Sequence, residues 1–190
     1  EELATEMVRI ADMHTAKRKL KRPPEALELS AGHGRIVTPL LRAGFRVYAY
    51  ELNHENFKKL AKFAISDPGK FRVSCEDFLT VENDLPPVDV VTMNPPFSKL
   101  QDLRHVRHAY DFLAPGGILL AIMSPSWTFR SDARAVEFRA WAESLNAKWT
   151  PNPAGTFRES GTDVNTGLFV VVKPNAAVDK PGVPNPYVSS

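Results

Sequence analysis

The segment Ala26-Leu27-Glu28-Leu29-Ser30-Ala31-Gly32-His33-Gly34 decides the fold of this chain. Its first residues, 26–30, predict a short strand, and the glycines that follow predict a tight turn. Apolar residues then recur at helical spacing between residues 36 and 41, which indicates a helix. A strand that passes through a glycine turn into a helix is the opening unit of an α/β domain.

The same strand and helix pattern continues along the chain. Further strands are predicted at residues 45–50, 71–75, 88–93, 118–123 and 166–172, with helical spacing at 57–64, 100–106 and 133–145. The strand at 118–123 is almost entirely apolar, as expected of a strand that is buried on both faces. Strands that alternate with helices predict a mostly parallel sheet covered on both faces, a doubly wound α/β domain.

One domain accounts for the length and composition. The chain has 190 residues, of which 43% are hydrophobic and 24% charged, and this suits a single core. We predict one catalytic domain over residues 1–173, beginning with an amphipathic helix over residues 1–22. Residues 174–190 are rich in proline and are predicted to form an extended or flexible tail.

The composition excludes several classes of protein. Cys75 is the only cysteine, so an internal disulfide, a cysteine-rich zinc site and a cysteine-ligated iron–sulfur cluster are all excluded, and no metal site is predicted. No long apolar run and no signal-peptide pattern is present, so we expect a soluble cytoplasmic protein without a membrane partner. The chain opens on Glu1 rather than on methionine, so flanking segments are an open alternative.

Positive charge is unevenly distributed, although the formal net charge is only +2. The clusters are Lys17, Arg18, Lys19, Lys21 and Arg22; Arg104, His105, Arg107 and His108; and Arg130, Arg134 and Arg139. Each cluster is consistent with the solvated face of a helix or with contacts to phosphate groups.

Residues at the strand ends form a candidate cofactor site, because ligands of doubly wound folds bind beyond the carboxyl ends of the strands. Gly32 and Gly34 let the backbone approach a ligand closely. Val37 stands where a dinucleotide fingerprint requires a third glycine, so the turn is not typical of a pyrophosphate site. Glu51 ends the second strand, where a carboxylate can accept both hydroxyls of a ribose.

An acidic and aromatic pair, Asp77 and Phe78, follows the third strand. Asp77 can accept a hydrogen bond from an adenine amino group, and Phe78 can cover the face of the ring. An acidic surface turn with an anchoring phenylalanine explains the same two residues equally well.

These features together resemble the class I methyltransferases that use S-adenosylmethionine, over residues 1–173. The resemblance implies a seven-stranded Rossmann-like sheet whose last strand is antiparallel, and S-adenosylmethionine as the cofactor. It assigns cofactor contacts to Thr5, Glu28, Ser30, Ala31, Gly32, Gly34, Glu51, Leu52, Asp77, Phe78 and Asn94, with Glu6 as a further candidate beside Thr5.

The most specific motif, Asn94-Pro95-Pro96-Phe97, directly follows the fourth strand. An exocyclic amino nitrogen is a poor nucleophile, because its lone pair is delocalised into the ring. The side-chain oxygen of Asn94 and the carbonyl of Pro95 can bind its two hydrogens and direct the lone pair toward a methyl group. Pro96 provides no N–H donor and stiffens the loop, and Phe97 can stack on a flipped base.

This motif is similar to that of N6-adenine DNA methyltransferases, and the order of cofactor and catalytic motifs resembles their gamma arrangement. RNA amino-group methyltransferases share it, as do protein glutamine methyltransferases, usually with tyrosine last. Cytosine C5 methylation is excluded, because Cys75 follows a serine rather than a proline. Residues 157–166 resemble a segment of phage- and plasmid-borne adenine methyltransferases, which implies Gly161 and Thr162 beside the target base.

The substrate is predicted to be DNA, with low or very short sequence specificity. After Phe97 the chain has room only for the rest of the sheet and its helices, and not for a target-recognition region. A recognition domain outside this chain, or a specificity subunit, explains the gap equally well. An RNA adenine-N6 or guanine-N2 methyltransferase, a protein glutamine methyltransferase and a non-catalytic nucleic-acid-binding subunit are the alternatives.

Overall fold

The computed structural model describes residues 2–82, 85–152 and 165–175. Its strands are β1 (Glu25–Glu28), β2 (Arg46–Tyr50), β3 (Phe71–Ser74), β4 (Val88–Met93), β5 (Leu113–Met123), β6 (Lys148–Pro151) and β7 (Gly167–Val172). The helices are α1 (Glu2–Lys17), α2 (Val37–Arg42), α3 (His54–Ser66), α4 (Gln101–Asp111), α5 (Ser126–Phe129) and α6 (Ala133–Ser144). Short 3₁₀ turns occur at Phe78–Thr80 and Ser98–Leu100.

The strands form one sheet of seven, in the order β3-β2-β1-β4-β5-β7-β6. Neighbouring strands from β3 to β5 pair in parallel, whereas β7 is antiparallel to both β5 and β6. The prediction of a doubly wound, mostly parallel sheet with an antiparallel last strand is therefore confirmed. The pattern along the chain did not locate β6, because this short edge strand is largely exposed and carries no apolar run.

Helices cover both faces of the sheet. Residues of α1, α2 and α3 pack on one face, with Ala26 and Val90 from the central strands. Residues of α4 and α6 pack on the other face, with Leu27 and Val91. Successive residues of β1 and β4 thus point to opposite faces, and all of β4 is buried, as expected of a central parallel strand.

Helix α1 is shorter than predicted and ends at Lys17 rather than at residue 22. The chain turns because two arginines after the helix bind Asp89, a fully buried carboxylate at the start of β4. Arg18 Nη1 lies 2.8 Å from Asp89 Oδ1, and Arg22 Nη1 lies 2.7 Å from Asp89 Oδ2. Part of the first basic cluster therefore fixes α1 to the amino-terminal edge of the sheet.

Strand β5 begins at Leu113, five residues before the predicted start at 118. Helix α4 ends at Asp111, and Gly116 and Gly117 lie within the strand. A side chain at Gly117 would require the backbone to shift, because an added Cβ would lie 2.9 Å from the carbonyl oxygen of Ala114 and 3.1 Å from that of Asp89 on the neighbouring strand. No helix among the described residues is long and apolar enough to cross a membrane.

Candidate functional site

The sheet register brings the predicted site residues into one row at its carboxyl edge. Glu28 on β1 pairs with Thr92 on β4, and β1 pairs in parallel with β2 on its other side. Beyond the last paired residues, Ala31 donates its N–H to the carbonyl oxygen of Tyr50 at 3.2 Å, so the chain after β1 stays beside the end of β2. Ser30, Glu51 and Asn94 therefore lie just beyond the carboxyl ends of three adjacent strands. This is the switch point at which doubly wound folds bind ligands.

The glycine turn is held in place by the carboxylate of Glu51. Gly32 and Gly34 have φ angles of 52° and 78°, in the region that favours glycine. Glu51 Oε2 accepts a hydrogen bond from the Gly32 N–H at 2.5 Å, and Oε1 accepts one from the Asn53 N–H at 2.6 Å. Glu51 is only 8% exposed, so its carboxylate is oriented before any ligand arrives.

Glu28 is fully buried at the end of β1. Its carboxyl group accepts hydrogen bonds from the hydroxyl of Thr92 and from the N–H of Ser30. Its other oxygen, Oε1, has no partner among the described residues. Burial raises the pKa of Glu28 to about 8, although both hydrogen bonds act to lower it. A buried carboxyl oxygen without a partner is available to a donor from a ligand.

The motif after β4 is placed at the same edge. Asn94 and Pro96 are exposed, whereas Pro95 is buried and Phe97 is partly buried. The Phe97 ring packs against the apolar cluster on the α1 face of the sheet. Within the described residues the Asn94 side chain forms no hydrogen bond, so its amide oxygen is available to a substrate.

The loop that continues from this motif is strained and anchored. Lys99 and Leu100 have φ angles of 53° and 59°, which cost about 1–3 kcal/mol each for residues other than glycine. Arg134 Nη1 donates to the carbonyl of Lys99 at 3.2 Å. Asp102, buried in the first turn of α4, accepts hydrogen bonds from the N–H and hydroxyl of Ser124, both at 3.3 Å. Burial raises the pKa of Asp102 to about 6.

These anchors were not found from the sequence. Two consecutive residues with side chains at positive φ leave no pattern of residue types that indicates them. The partners of Asp102 and Arg134 lie far away along the chain and become neighbours only after folding.

A family model described as a methyltransferase domain matches residues 2–162. The chain belongs to the methyltransferase domain family. No curated protein matches this methyltransferase significantly in sequence.

Solved structures share the fold of this methyltransferase at low sequence identity. The methyltransferase subunit of a type I restriction-modification system from Streptococcus thermophilus has a TM-score of 0.73 at 17% identity, covering 92% of this chain and 44% of that subunit. The O-methyltransferase TomG from Streptomyces achromogenes, in complex with S-adenosylmethionine, has a TM-score of 0.62 at 15% identity, with 90% and 80% covered. An rRNA methylase from Streptococcus thermophilus has a TM-score of 0.58 at 15% identity, with 87% and 95% covered.

The cofactor of this methyltransferase is S-adenosylmethionine, as the family and the class I fold indicate. The residues present at the carboxyl edge fit this group. Glu28 Oε1 is a buried acceptor without a partner, which suits the amino group of the methionine portion. Gly32 leaves the backbone of the turn open, because an added Cβ would meet only the carbonyl oxygen of Ser30, at 3.8 Å. Gly34 is buried instead, and an added Cβ there would lie 3.1 Å from Leu60 Cδ2 of α3.

Phe78 does not have the position that was predicted for it. The ring is 3% exposed and lies in the core, with its centroid 4.7 Å from that of His108 and 5.2 Å from that of Phe112. Asp77 caps the short 3₁₀ turn by accepting a hydrogen bond from the N–H of Leu79 at 3.0 Å. In this turn the Phe78 side chain points into the core. Phe78 is therefore a core residue and has no face free to cover an adenine ring.

The other predicted cofactor residues differ in their exposure and in their position in the fold. Leu52 is 68% exposed beside Glu51, and Ala31 is buried. Thr5 lies near the first turn of α1, the end of the helix that is remote from the Asp89 clamp, and Glu6 forms an ion pair with Arg9. The predicted substrate residues Gly161 and Thr162, and residues 176–190 of the predicted tail, lie outside the described residues.

The second and third basic clusters separate into structural and surface members. His105 and His108 contact the carbonyl oxygens of Gln101 and Val81. Arg139 donates to two carbonyl oxygens, including that of Arg130 at 2.8 Å. By contrast, the exposed arginines of these clusters are Arg104, Arg107, Arg130 and Arg134.

Proposed function

We propose that this methyltransferase transfers a methyl group from S-adenosylmethionine to the N6 amino group of adenine in DNA, within a single catalytic domain over residues 1–173. The observation that carries the proposal is the position of Asn94-Pro95-Pro96-Phe97 directly after β4, in the row that includes Ser30 and Glu51. A methyl-donor site and a pair of acceptors for an amino group thus share one edge of the sheet.

The cofactor residues form a site with two acidic groups. Glu28 Oε1 would accept the amino group of the methionine portion, and the backbone of the glycine turn would pass beside it. Glu51 would hold the ribose hydroxyls through the lone pairs that Gly32 and Asn53 leave free. Leu52, which is exposed beside Glu51, would cover the adenine ring in the place first assigned to Phe78. The cofactor supplies an activated methyl group on a sulfonium.

The acceptors at the catalytic loop orient the substrate nitrogen. The Asn94 amide oxygen and the Pro95 carbonyl would each accept one hydrogen of the amino group, so that its lone pair points toward the methyl group. They would also stabilise the positive charge that develops on the nitrogen during transfer. Because an amide and a carbonyl are weak bases and Asn94 is exposed, the released proton passes to water.

The target base is proposed to stack on Phe97. Part of this ring remains exposed while the rest is anchored against the apolar cluster, so it offers a fixed surface for a planar group. Stacking there would replace the neighbours that an adenine loses when it leaves the helix.

The proposed sequence specificity of this chain by itself is low or very short. The chain spans 44% of the length of the Streptococcus thermophilus restriction-modification subunit to which it is similar. A flanking recognition domain or a specificity subunit is therefore a second route to specificity. The single cysteine favours the cytoplasm as the setting.

RNA is the second candidate substrate, because the two acceptors bind any planar amino group, whether it is adenine N6 or guanine N2. A glutamine side chain of a protein ranks third, since an amide is planar but smaller than the ring that Phe97 can cover. The available Asn94 amide and the buried acidic groups favour an enzyme over a non-catalytic binding subunit.

The proposal is tested with isotope-labelled S-adenosylmethionine and separate pools of duplex DNA, single-stranded DNA, tRNA and rRNA, each digested to nucleosides for mass spectrometry. We expect labelled N6-methyladenine in DNA and none with Asn94→Ala. Label confined to RNA would reject DNA as the substrate in favour of RNA. Strong selection of one sequence by this chain alone would contradict the proposed low specificity. Cofactor binding without label in any pool would reject a nucleic-acid substrate.

A further inference from the structure

A groove with a volume of about 530 Å³ runs between α4 and α6, on the face of the sheet opposite α1. Its lining includes Leu100, Arg104, Arg107, Tyr110, Arg134 and Trp141. Three arginines and two aromatic side chains therefore share one concave surface outside the catalytic edge.

Two of these arginines form no close salt bridge. Within the described part of the chain, neither Arg104 nor Arg107 forms an ion pair. Two carboxylates, Asp111 and Glu137, also line the groove, so its arginines outnumber its acidic groups by one. Exposed guanidinium groups without carboxylate partners can bind phosphate oxygens through two parallel hydrogen bonds.

Aromatic contact fixes one of the arginines. The Arg107 guanidinium carbon lies 4.9 Å from the centroid of the Trp141 ring, which is a cation–π contact. A guanidinium that rests on a ring loses less conformational freedom when it binds an anion, so its phosphate contact is stronger. Arginines combined with aromatic faces are typical of surfaces that follow a nucleic-acid strand.

The groove begins at the catalytic loop. Arg134 lines the groove and donates to the carbonyl of Lys99, in the loop that joins β4 to α4. Leu100 of the same loop is also part of the lining. Helix α4 starts directly after this loop and carries Arg104 and Arg107 away from it. A strand whose base enters beside Asn94 would therefore have its neighbouring phosphates directed into the groove.

We infer that the groove between α4 and α6 binds the phosphate backbone of the strand that carries the target base. The inference rests on the proposed nucleic-acid substrate and adds to it a surface outside the catalytic motif. The 11 residues of α4 span about 16 Å, the length of about five phosphates along one strand of a duplex. The groove thus holds the substrate on one side of the target base.

The test measures binding of short fluorescein-labelled DNA, single-stranded and duplex, and of RNA of the same sequence, by fluorescence anisotropy over roughly 50 to 200 mM salt. The variant Arg104→Ala/Arg107→Ala is compared with Lys59→Ala/Lys62→Ala, which removes the same charge from exposed positions of α3 on the opposite face. We expect about tenfold weaker binding in the arginine variant, and a salt slope lower by about 2, with little change in the lysine variant.

Two further variants separate charge from packing. Arg104→Lys/Arg107→Lys keeps the charge and should retain most of the affinity. Arg104→Glu leaves the Arg107–Trp141 contact intact and should weaken binding more than loss of Arg104 alone. Cofactor affinity, measured by calorimetry, should be unchanged in all of them, because no arginine of the groove lies in the row at the carboxyl edge.

Equal oligonucleotide affinities in the arginine and lysine variants, together with intact methyl transfer, would overturn the groove and leave the proposed function standing. If the unaltered chain neither binds the oligonucleotides nor transfers a methyl group to nucleic acid, the groove and the proposed function are both overturned. That result would indicate an acidic protein partner for the arginines. Weaker binding in the arginine variant with normal cofactor affinity supports the groove.

Discussion

The two halves of the carboxyl edge differ in the burial and hydrogen bonding of their candidate site residues. On the cofactor side, Glu28 and Glu51 are buried and receive hydrogen bonds from the chain itself. On the target side, Asn94 is exposed and the loop after it contains two residues at positive φ. The comparison indicates that the proposed methyl-donor side is organised by folding, whereas on the proposed target side the Asn94 side chain forms no hydrogen bond within the described residues.

Replacing Asn94 by alanine should have the largest effect. One of the two acceptors for the amino group is lost, so methyl transfer should fall by about 10²–10³ or more. Cofactor affinity should stay nearly unchanged, because within the described residues the Asn94 side chain makes no hydrogen bond to the glycine turn. Single-turnover transfer and calorimetric titration of the cofactor check the two halves separately. A large loss of cofactor affinity would show that the two sides are not independent.

Replacing Glu51 by alanine should act on the opposite side. The ribose would lose its acceptor and the Gly32 N–H would lose its partner, so cofactor binding should weaken by about 10- to 100-fold. Glu51→Gln retains one oxygen and should lose less. Transfer at saturating cofactor should be close to normal, which distinguishes this variant from Asn94→Ala. Equal losses of methyl transfer in Glu51→Ala and Asn94→Ala at saturating cofactor would contradict the assigned roles.

Glu28 should make stability depend on pH. Its pKa in the folded chain is about 8, above the usual range for an exposed carboxyl group, so the folded state holds a proton that the unfolded state releases. The stabilisation is complete below the unfolded pKa and is lost as pH rises toward and through 8. Glu28→Gln should remove this part of the decline in melting temperature, a difference of a few degrees.

Bound cofactor should also reduce this decline in the unaltered chain, because a nearby cation favours the charged carboxylate. Melting curves across this pH range, with and without S-adenosylmethionine, measure both effects. Identical pH profiles for the unaltered chain and Glu28→Gln would contradict the assignment.

Replacing Phe78 by leucine should give the smallest effect on the site. The ring belongs to the core, so the variant should lose about 1–2 kcal/mol of stability while cofactor affinity remains the same. Leu52→Ala is the matched comparison, since it should weaken cofactor binding slightly without lowering the melting temperature. Weaker cofactor binding in Phe78→Leu, with unchanged binding in Leu52→Ala, would instead assign the adenine contact to Phe78.

Much of the fold follows from local patterns in the sequence. Strand β4 occupies the predicted residues 88–93, because an apolar run between proline pairs has few other structures available. Glu28, Glu51 and Asn94 reach one edge because parallel strands place their carboxyl ends together. The fold class, and the position of these three residues at one edge of the sheet, were thus predictable.

The remaining features depend on contacts between distant segments. The arginines that end α1 are specified by Asp89, which lies about seventy residues away and is buried only when β4 joins the sheet. The prediction that Phe78 faces a ligand was wrong, because the orientation of its ring depends on contacts with His108 and Phe112, which are distant in sequence. Strand β6 lacks an apolar pattern, because one side of an edge strand remains open. Such features cannot be read from residue types alone.

The order of the sheet also affects how the chain is made. Strand β7 lies between β5 and β6, although it is the last of the seven to be synthesised. Until residues 167–172 leave the ribosome, β5 has an open, apolar edge and β6 has no neighbour in the sheet. A nascent chain stalled before this point would therefore depend on chaperones, and premature termination there would yield an aggregation-prone product.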